Sequence, residues 1–369
     1  MTKARQLADL GNAYDDGALS NRNLMTNGSM AVAQRSVSET GLSSTNSYKT
    51  VDRYTTYISS LGTWTQSQDT DAPSGFGHSL KMLCTTADAS PASTNRMLIQ
   101  TKIEGQDIQS LGFGDTSNTY TVSFYVKSNV TGTYILEHLG GTASATGHQI
   151  STPYTVNNVN TWERKTITLN VDSGAMTSDN TSGLALSFWL GTGSNYSSGT
   201  LNTSWSSSSA GNRAVGQVNL ASATNNYWQI TGLQLEVGDT ATPFEHGKSY
   251  GEELAKCQRY YFQRNWTATY DSVLSPAWAS STNSFQGTFY MPTTMRAPPT
   301  LSHNGAGNFR LNNSVGGDEI CNTITIQSSK NNSVVVNFFK ATGNLTVTSS
   351  GYINTETTND AYMYFDAEL

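Results

Sequence analysis

Apolar and polar residues alternate with a period of two along most of the chain. Tyr120, Val122, Phe124 and Val126 alternate with Thr121, Ser123, Tyr125 and Lys127, the pattern of a half-buried strand. Leu184, Leu186, Phe188 and Leu190 repeat it, as do Ile167, Leu169 and Val171. Between 228 and 237 the phase changes. Trp228 and Ile230 hold the even positions, then Leu233, Leu235 and Val237 the odd ones. A one-residue slip would turn every side chain to the wrong face, so a β-bulge near Thr231 and Gly232 is predicted. Strands parted by turn clusters, with no helical period between them, predict antiparallel sheets packed as a sandwich over 22–247. More strands are predicted at 288–291, 323–327, 334–339, 345–348 and 361–369. The last implies a C-terminus tied into a sheet.

Only 248–262 reads as a good helix. Ser249 and Glu252 form an S-x-x-E capping box, and Tyr250, Leu254, Cys257 and Tyr261 make one apolar stripe. Such a stripe must bury itself, either against its own sandwich or near an axis between copies of the chain. Residues 1–21 stand apart: polar, Gly-rich, too short to fold alone, with a small apolar face at Leu7 and Leu10. They read as a frayed tail or as a docking peptide. The fold class is therefore all-β: two antiparallel β-sandwich (jelly-roll-like) domains, 22–247 and 263–369, joined by the short helix and preceded by an extended N-terminal peptide.

Composition narrows the function. The 369 residues include 46 Ser, 50 Thr, 32 Asn and 32 Gly, yet 10% are aromatic, which argues against wholesale disorder. A net charge of −6 and a pI near 5.4 give no basic footprint for nucleic acid. No apolar run is long enough for a membrane-spanning helix, and the N-terminus lacks the apolar stretch of a signal peptide. Cys84, Cys257 and Cys321 are far apart and odd in number, unlike a disulfide scaffold or zinc site.

No catalytic constellation stands out. Gly77-His78-Ser79-Leu80-Lys81 has Lys where a nucleophile elbow needs Gly, and no facing carboxylate pair is identifiable. The five histidines never fall at metal-ligand spacing. Asp69, Asp71 and Asp239 are the candidate ligands for a structural calcium, against the plainer reading of turn-forming aspartates; no other cofactor is expected.

Sugar recognition needs aromatic faces beside amides, hydroxyls or carboxylates. The long Ser/Gly/Asn loop 191–216 offers Trp205, Tyr196, Asn195 and Asn202, as a ligand surface or as packing anchors. Trp266 and Trp278, with Tyr270 and Asp271, form a second candidate group. Trp162, Trp189 and Trp228 lie in or beside alternating strands and are expected in the core.

Several stretches resemble virion proteins of tailed phages of marine bacteria and cyanobacteria, tail-fibre and receptor-binding proteins in particular. They are NLMTNGSMAVAQRS (23–36), YKTVDRY (48–54), IEGQDIQSL (103–111), SFYVKSNVTGTY (123–134), TWERKTITL (161–169), the join at 227–262 and FYMPTTMRAPPT (289–300). The opening MTKARQLADLGN is similar to peptides that begin some tail fibres. The resemblance implies a carbohydrate-binding-like jelly roll and a distal β domain. It also implies a homotrimer with the 250–261 stripe at its interface, docking of 1–21 on another virion protein, and attachment to a host surface glycan. The expected product is a non-enzymatic virion protein, made in the host cytoplasm and placed on the tail. The alternatives are a capsid fibre or decoration protein, and a secreted carbohydrate-active enzyme with lectin-like domains.

Overall fold

The computed structural model describes Lys3, Arg5 and residues 22–140, 147–247, 249–268, 270–312, 319–356 and 361–369. Leu7 and Leu10 lie outside the described residues. The chain is nearly all β and antiparallel and divides into two compact units, Met1–Glu253 and Leu254–Leu369.

The first unit contains β1 (Ser38–Tyr48), β2 (Thr55–Asp69), β3 (Ser79–Thr86), β4 (Arg96–Glu104), β5 (Thr119–Ser128) and β6 (Gly132–Gly140). It continues with β7 (His148–Val156), β8 (Glu163–Asn170), β9 (Ser182–Thr192), β10 (Ser206–Ser207) and β11 (Tyr227–Val237). Their order is β10-β7-β6-β9-β4-β2-β3-β11-β5-β8, with β1 beside β2. One long strand turns this ribbon into a sandwich. Thr55–Ser59 of β2 pairs with β4, whereas Thr63–Asp69 pairs with β3. Between them Ser60 and Gly62 take positive φ, 50° and 66°, which breaks the extended run. Layer one is thus β10-β7-β6-β9-β4 with the start of β2, and layer two is the end of β2 with β3-β11-β5-β8.

Aromatic rings from the two layers meet in the core. Phe124 of β5 stands edge-on to Phe188 of β9 at 5.2 Å and to Tyr154 of β7 at 5.1 Å, a favoured ring geometry. Trp228 of β11 lies 5.7 Å from Phe188. The anticipated bulge is present: β11 slips register against β5 between Thr231 and Gln234, with Gly232 at φ 62°.

Helix α1 (Tyr250–Gln258) spans the boundary of the units. The Ser249 hydroxyl accepts from the Glu252 N–H at 3.2 Å, but the helix is shorter than 248–262. Tyr261 pairs with Asp366 instead; a strand partner replaces the next helical turn. The four-residue stripe is broken accordingly. Tyr250 is exposed, Leu254 half-buried and Cys257 buried, while Tyr261 belongs to a sheet.

The second unit contains β12 (Tyr261–Trp266), β13 (Ser272–Ser281), β14 (Ser284–Tyr290), β15 (Thr300–His303) and β16 (Phe309–Asn312). After these come β17 (Glu319–Ile320), β18 (Thr323–Lys330), β19 (Ser333–Phe339), β20 (Ser350–Thr355) and β21 (Ala361–Asp366). A three-stranded sheet, β12-β21-β15, packs on a seven-stranded one, β17-β16-β20-β13-β14-β19-β18. Phe289 meets Phe365 across them at 5.6 Å. Met363 and Phe365 of the final strand point into this core, as their alternation requires. The strand expected at 345–348 does not form. Leu345 alone is anchored in the core, Val347 is exposed, and Thr348 takes a φ of 73° that no regular strand permits.

Candidate functional site

On the outer face of layer one, the loop after β9 folds down over the sheet. Trp189 points outward from β9 yet is fully buried, because Tyr196 packs on it at 5.5 Å and the Arg213 guanidinium covers it at 5.0 Å. Arg213 Nε and Nη2 donate to the buried Glu137 carboxylate at 2.6 and 2.7 Å, and Trp189 Nε1 donates to it at 3.1 Å. Burial opposes the Arg213 charge, but Glu137 outweighs it and raises the guanidinium pKa.

The loop candidates prove to be mostly fasteners. Trp205 Nε1 donates to the Asn170 carbonyl at 2.8 Å, and its ring stands edge-on to Phe113. The Asn202 carbonyl accepts from Ser151 N–H at 2.6 Å, and its side chain accepts from Asn212. Asn195 is exposed and donates its N–H to the Ser93 carbonyl. Tyr196 is half-buried on Trp189, with the Arg96 guanidinium 5.1 Å over its ring. Beside Arg96 is a shallow pocket of about 390 Å³, lined by Thr45 and Asn46 of β1 and Tyr57 and Ser59 of β2. Burial raises the Tyr57 phenol pKa, partly offset by Arg96 and Arg213.

On the outer face of layer two, Trp162 is half-exposed rather than in the core, with Lys127 at 5.9 Å over its ring. It sits just before β8, where its Nε1 donates to the Asp71 carboxylate at 3.2 Å, so a surface polar contact holds the ring outside the core. The aspartates proposed for calcium are taken up by lysines: Asp69 by Lys81 at 2.9 Å and Asp71 by Lys127 at 2.7 Å. The Asp239 carboxylate accepts from the Thr240 hydroxyl at 3.1 Å and its carbonyl from the Thr168 hydroxyl at 3.3 Å. No group of three potential metal ligands occurs among the described residues. Ser79 is a buried strand residue whose hydroxyl donates to the Asp71 carbonyl.

The second unit separates its four candidates. Trp266 is a core residue, 6% exposed and edge-on to Phe309, which withdraws it from any surface. Asp271 holds a turn, its carboxylate accepting from Ala268 N–H. Tyr270 is exposed beside Arg310, itself paired with Glu356. Trp278 is different: it stands 43% exposed on β13.

The register shows what surrounds it. Trp278 faces Gln286 on β14, and Gln286 faces Asn337 on β19. Thr288 and Tyr290 follow on the same face of β14, while Phe285 and Phe289 fill the core on the other. Tyr290 is 79% exposed. Trp278, Thr288 and Tyr290 line an open groove of about 500 Å³ that also takes in Pro276 and Ser275. The Gln286 amide, half-buried beside the groove, has no hydrogen-bond partner among the described residues; Asn337 Oδ1 lies buried under the sheet surface, out of a ligand's reach. This is an aromatic platform with the Thr288 and Tyr290 hydroxyls on it and the Gln286 amide beside it. Sequence reasoning missed Gln286, Thr288 and Tyr290. Their alternation with Phe285 and Phe289 was a usable signal.

Fold and surface define the class: a β-sandwich protein with an open aromatic groove. No family model and no curated sequence matches the chain. Solved structures do match. A putative sugar binding protein from Bacteroides thetaiotaomicron VPI-5482 is 9% identical, covering 58% of this chain and 99% of its own, with a TM-score of 0.33. A family 11 carbohydrate-binding module from Clostridium thermocellum is 11% identical, covering 57% and 99%, with a TM-score of 0.29. The enzymatically active domain of tailspike protein 4 from bacteriophage CBA120 is 12% identical, with a TM-score of 0.32. That match covers 58% of this chain and 21% of the tailspike domain, so the chain spans about a fifth of its length.

Proposed function

We propose that this chain is a non-enzymatic, glycan-binding protein of a phage virion, a tail fibre or receptor-binding protein that attaches the particle to a host surface polysaccharide. The observation that carries the binding reading is the Trp278 face. A large indole left 43% exposed on a strand, next to the exposed Tyr290, Thr288 and the Gln286 amide, offers an apolar plate for sugar C–H bonds and polar atoms for hydroxyls. The virion assignment rests on the sequence resemblance, and the trimer and the docking of 1–21 belong to it.

The test is competition. The purified chain should block phage adsorption to host cells, and Trp278→Ala should lose that ability without a change in melting temperature. A Trp278→Ala protein that competes like wild type would refute the groove. Release of oligosaccharides from host polysaccharide would overturn the non-enzymatic reading. Immunogold label on the capsid instead of the tail would move the protein to the head.

A further inference from the structure

The groove at Trp278 has one charged wall. Arg264 of β12 lines it together with Trp278 and Tyr290. The guanidinium lies 5.4 Å over the ring of Trp266, which is fixed in the core; a cation so placed is held by the ring's negative face. Two other arginines are each committed to an acid, Arg213 to Glu137 and Arg310 to Glu356, both through two nitrogens. Arg264 has no carboxylate partner among the described residues, in a chain whose net charge is −6. An exposed, uncommitted guanidinium in a groove can receive a planar anion through two parallel N–H donors.

The groove also has length. Tyr290 lies four residues beyond Gln286, the cross-strand neighbour of Trp278, which is a spacing of about 13 Å at ~3.3 Å per residue. Two aromatic plates that far apart on one sheet face suit linked sugars rather than a single ring. We infer that the groove binds a carboxylated oligosaccharide, with sugar rings on Trp278 and Tyr290 and a uronate-type carboxylate on Arg264. The inference rests on the glycan-binding reading above and narrows its ligand class.

The experiment uses the full chain and purified fragments of bacterial surface polysaccharides, carboxylated, phosphorylated and neutral, with binding followed by calorimetry. Carboxylated fragments should bind best, and more weakly as salt rises. Chemical reduction of their carboxyl groups to alcohols should cost about 10–100-fold in affinity, the worth of a charge-assisted contact. Arg264→Gln should lose the same factor for the acidic fragment and nothing for its reduced form, and Arg264→Lys should fall between. Melting should be unchanged, because Arg264 is exposed. If fragments bind in a Trp278-dependent way but Arg264→Gln leaves the acidic-to-neutral ratio unaltered, the acid assignment is wrong and the glycan reading stands. A preference for phosphorylated over carboxylated fragments also overturns the assignment. If no fragment binds the wild-type chain, the glycan reading fails and this inference with it.

Discussion

Replacing Arg213 by Met probes how the loop is fixed over layer one. The Glu137 carboxylate is fully buried. It accepts from Arg213 at 2.6 and 2.7 Å and from Trp189 at 3.1 Å. Methionine keeps most of the stem over the Trp189 ring but removes both charged donors. One indole N–H then remains for a buried anion. Breaking a buried ion pair on one side costs about 3–5 kcal/mol, since the surviving charge stays desolvated. At about 2–4 °C per kcal/mol for a unit of this size, the melting of the first unit should fall by about 6–20 °C. Removing the second partner as well, in Glu137→Leu/Arg213→Met, should recover most of that loss. A residue of about 1–3 kcal/mol remains, because Trp189 Nε1 is left without an acceptor. Differential scanning calorimetry reads both changes, and limited proteolysis within 194–217 reports whether the loop has come free. The reasoning is refuted if Arg213→Met melts within 1–2 °C of wild type, or if the double variant is no better than the single one.

Three further outcomes follow from the packing. Burial holds His138 down to about 3, so below pH ~6.5 the unfolded chain takes up a proton that the fold refuses. Stability should therefore fall as pH drops from about 6.5 toward 3. The His138 share is about 2.5 kcal/mol between pH 7 and 4.5, and the loss of unfolding free energy from pH 7 to 4.5, from urea titrations, should be larger for wild type than for His138→Phe by that amount. Gly232→Val should destabilise the first unit by about 2–4 kcal/mol. A Cβ there would lie 2.7 Å from Phe76 and 2.9 Å from Tyr125, at a φ of 62°; a melt equal to wild type would show the bulge to be adaptable. Leu254→Asp places a carboxylate on a half-buried helix position at a cost of about 1–3 kcal/mol. If the proposed trimer packs through α1, light scattering should show it dissociating; an intact oligomer with unaltered melting would remove α1 from the assembly interface.

The sequence by itself determined the strand content, the β11 bulge, the helix start at Ser249 and the burial of Trp228. Each is written in a local period or in the chemistry of one turn, which neighbours along the chain are enough to specify. The C-terminal strand was legible for the same reason: Met363 and Phe365 hold one phase and Tyr362 and Tyr364 the other. Tertiary structure decided what local pattern could not. The helix ended early because a distant strand offered Tyr261 a partner. Trp266 and Trp278, two tryptophans in similar polar surroundings along the chain, went to opposite fates: Trp266 takes the core-facing phase of β12 in one sheet, and Trp278 the outward phase of β13 in the other. Trp205 became an anchor because Asn170 supplied an acceptor from 35 residues away. The groove exists only through strand pairing, which sets Trp278 of β13 beside Thr288 and Tyr290 of β14 and brings Arg264 of another sheet to their edge. Pairing and burial are long-range choices made by the whole core, so a site assembled from three strands leaves little trace in any one of them.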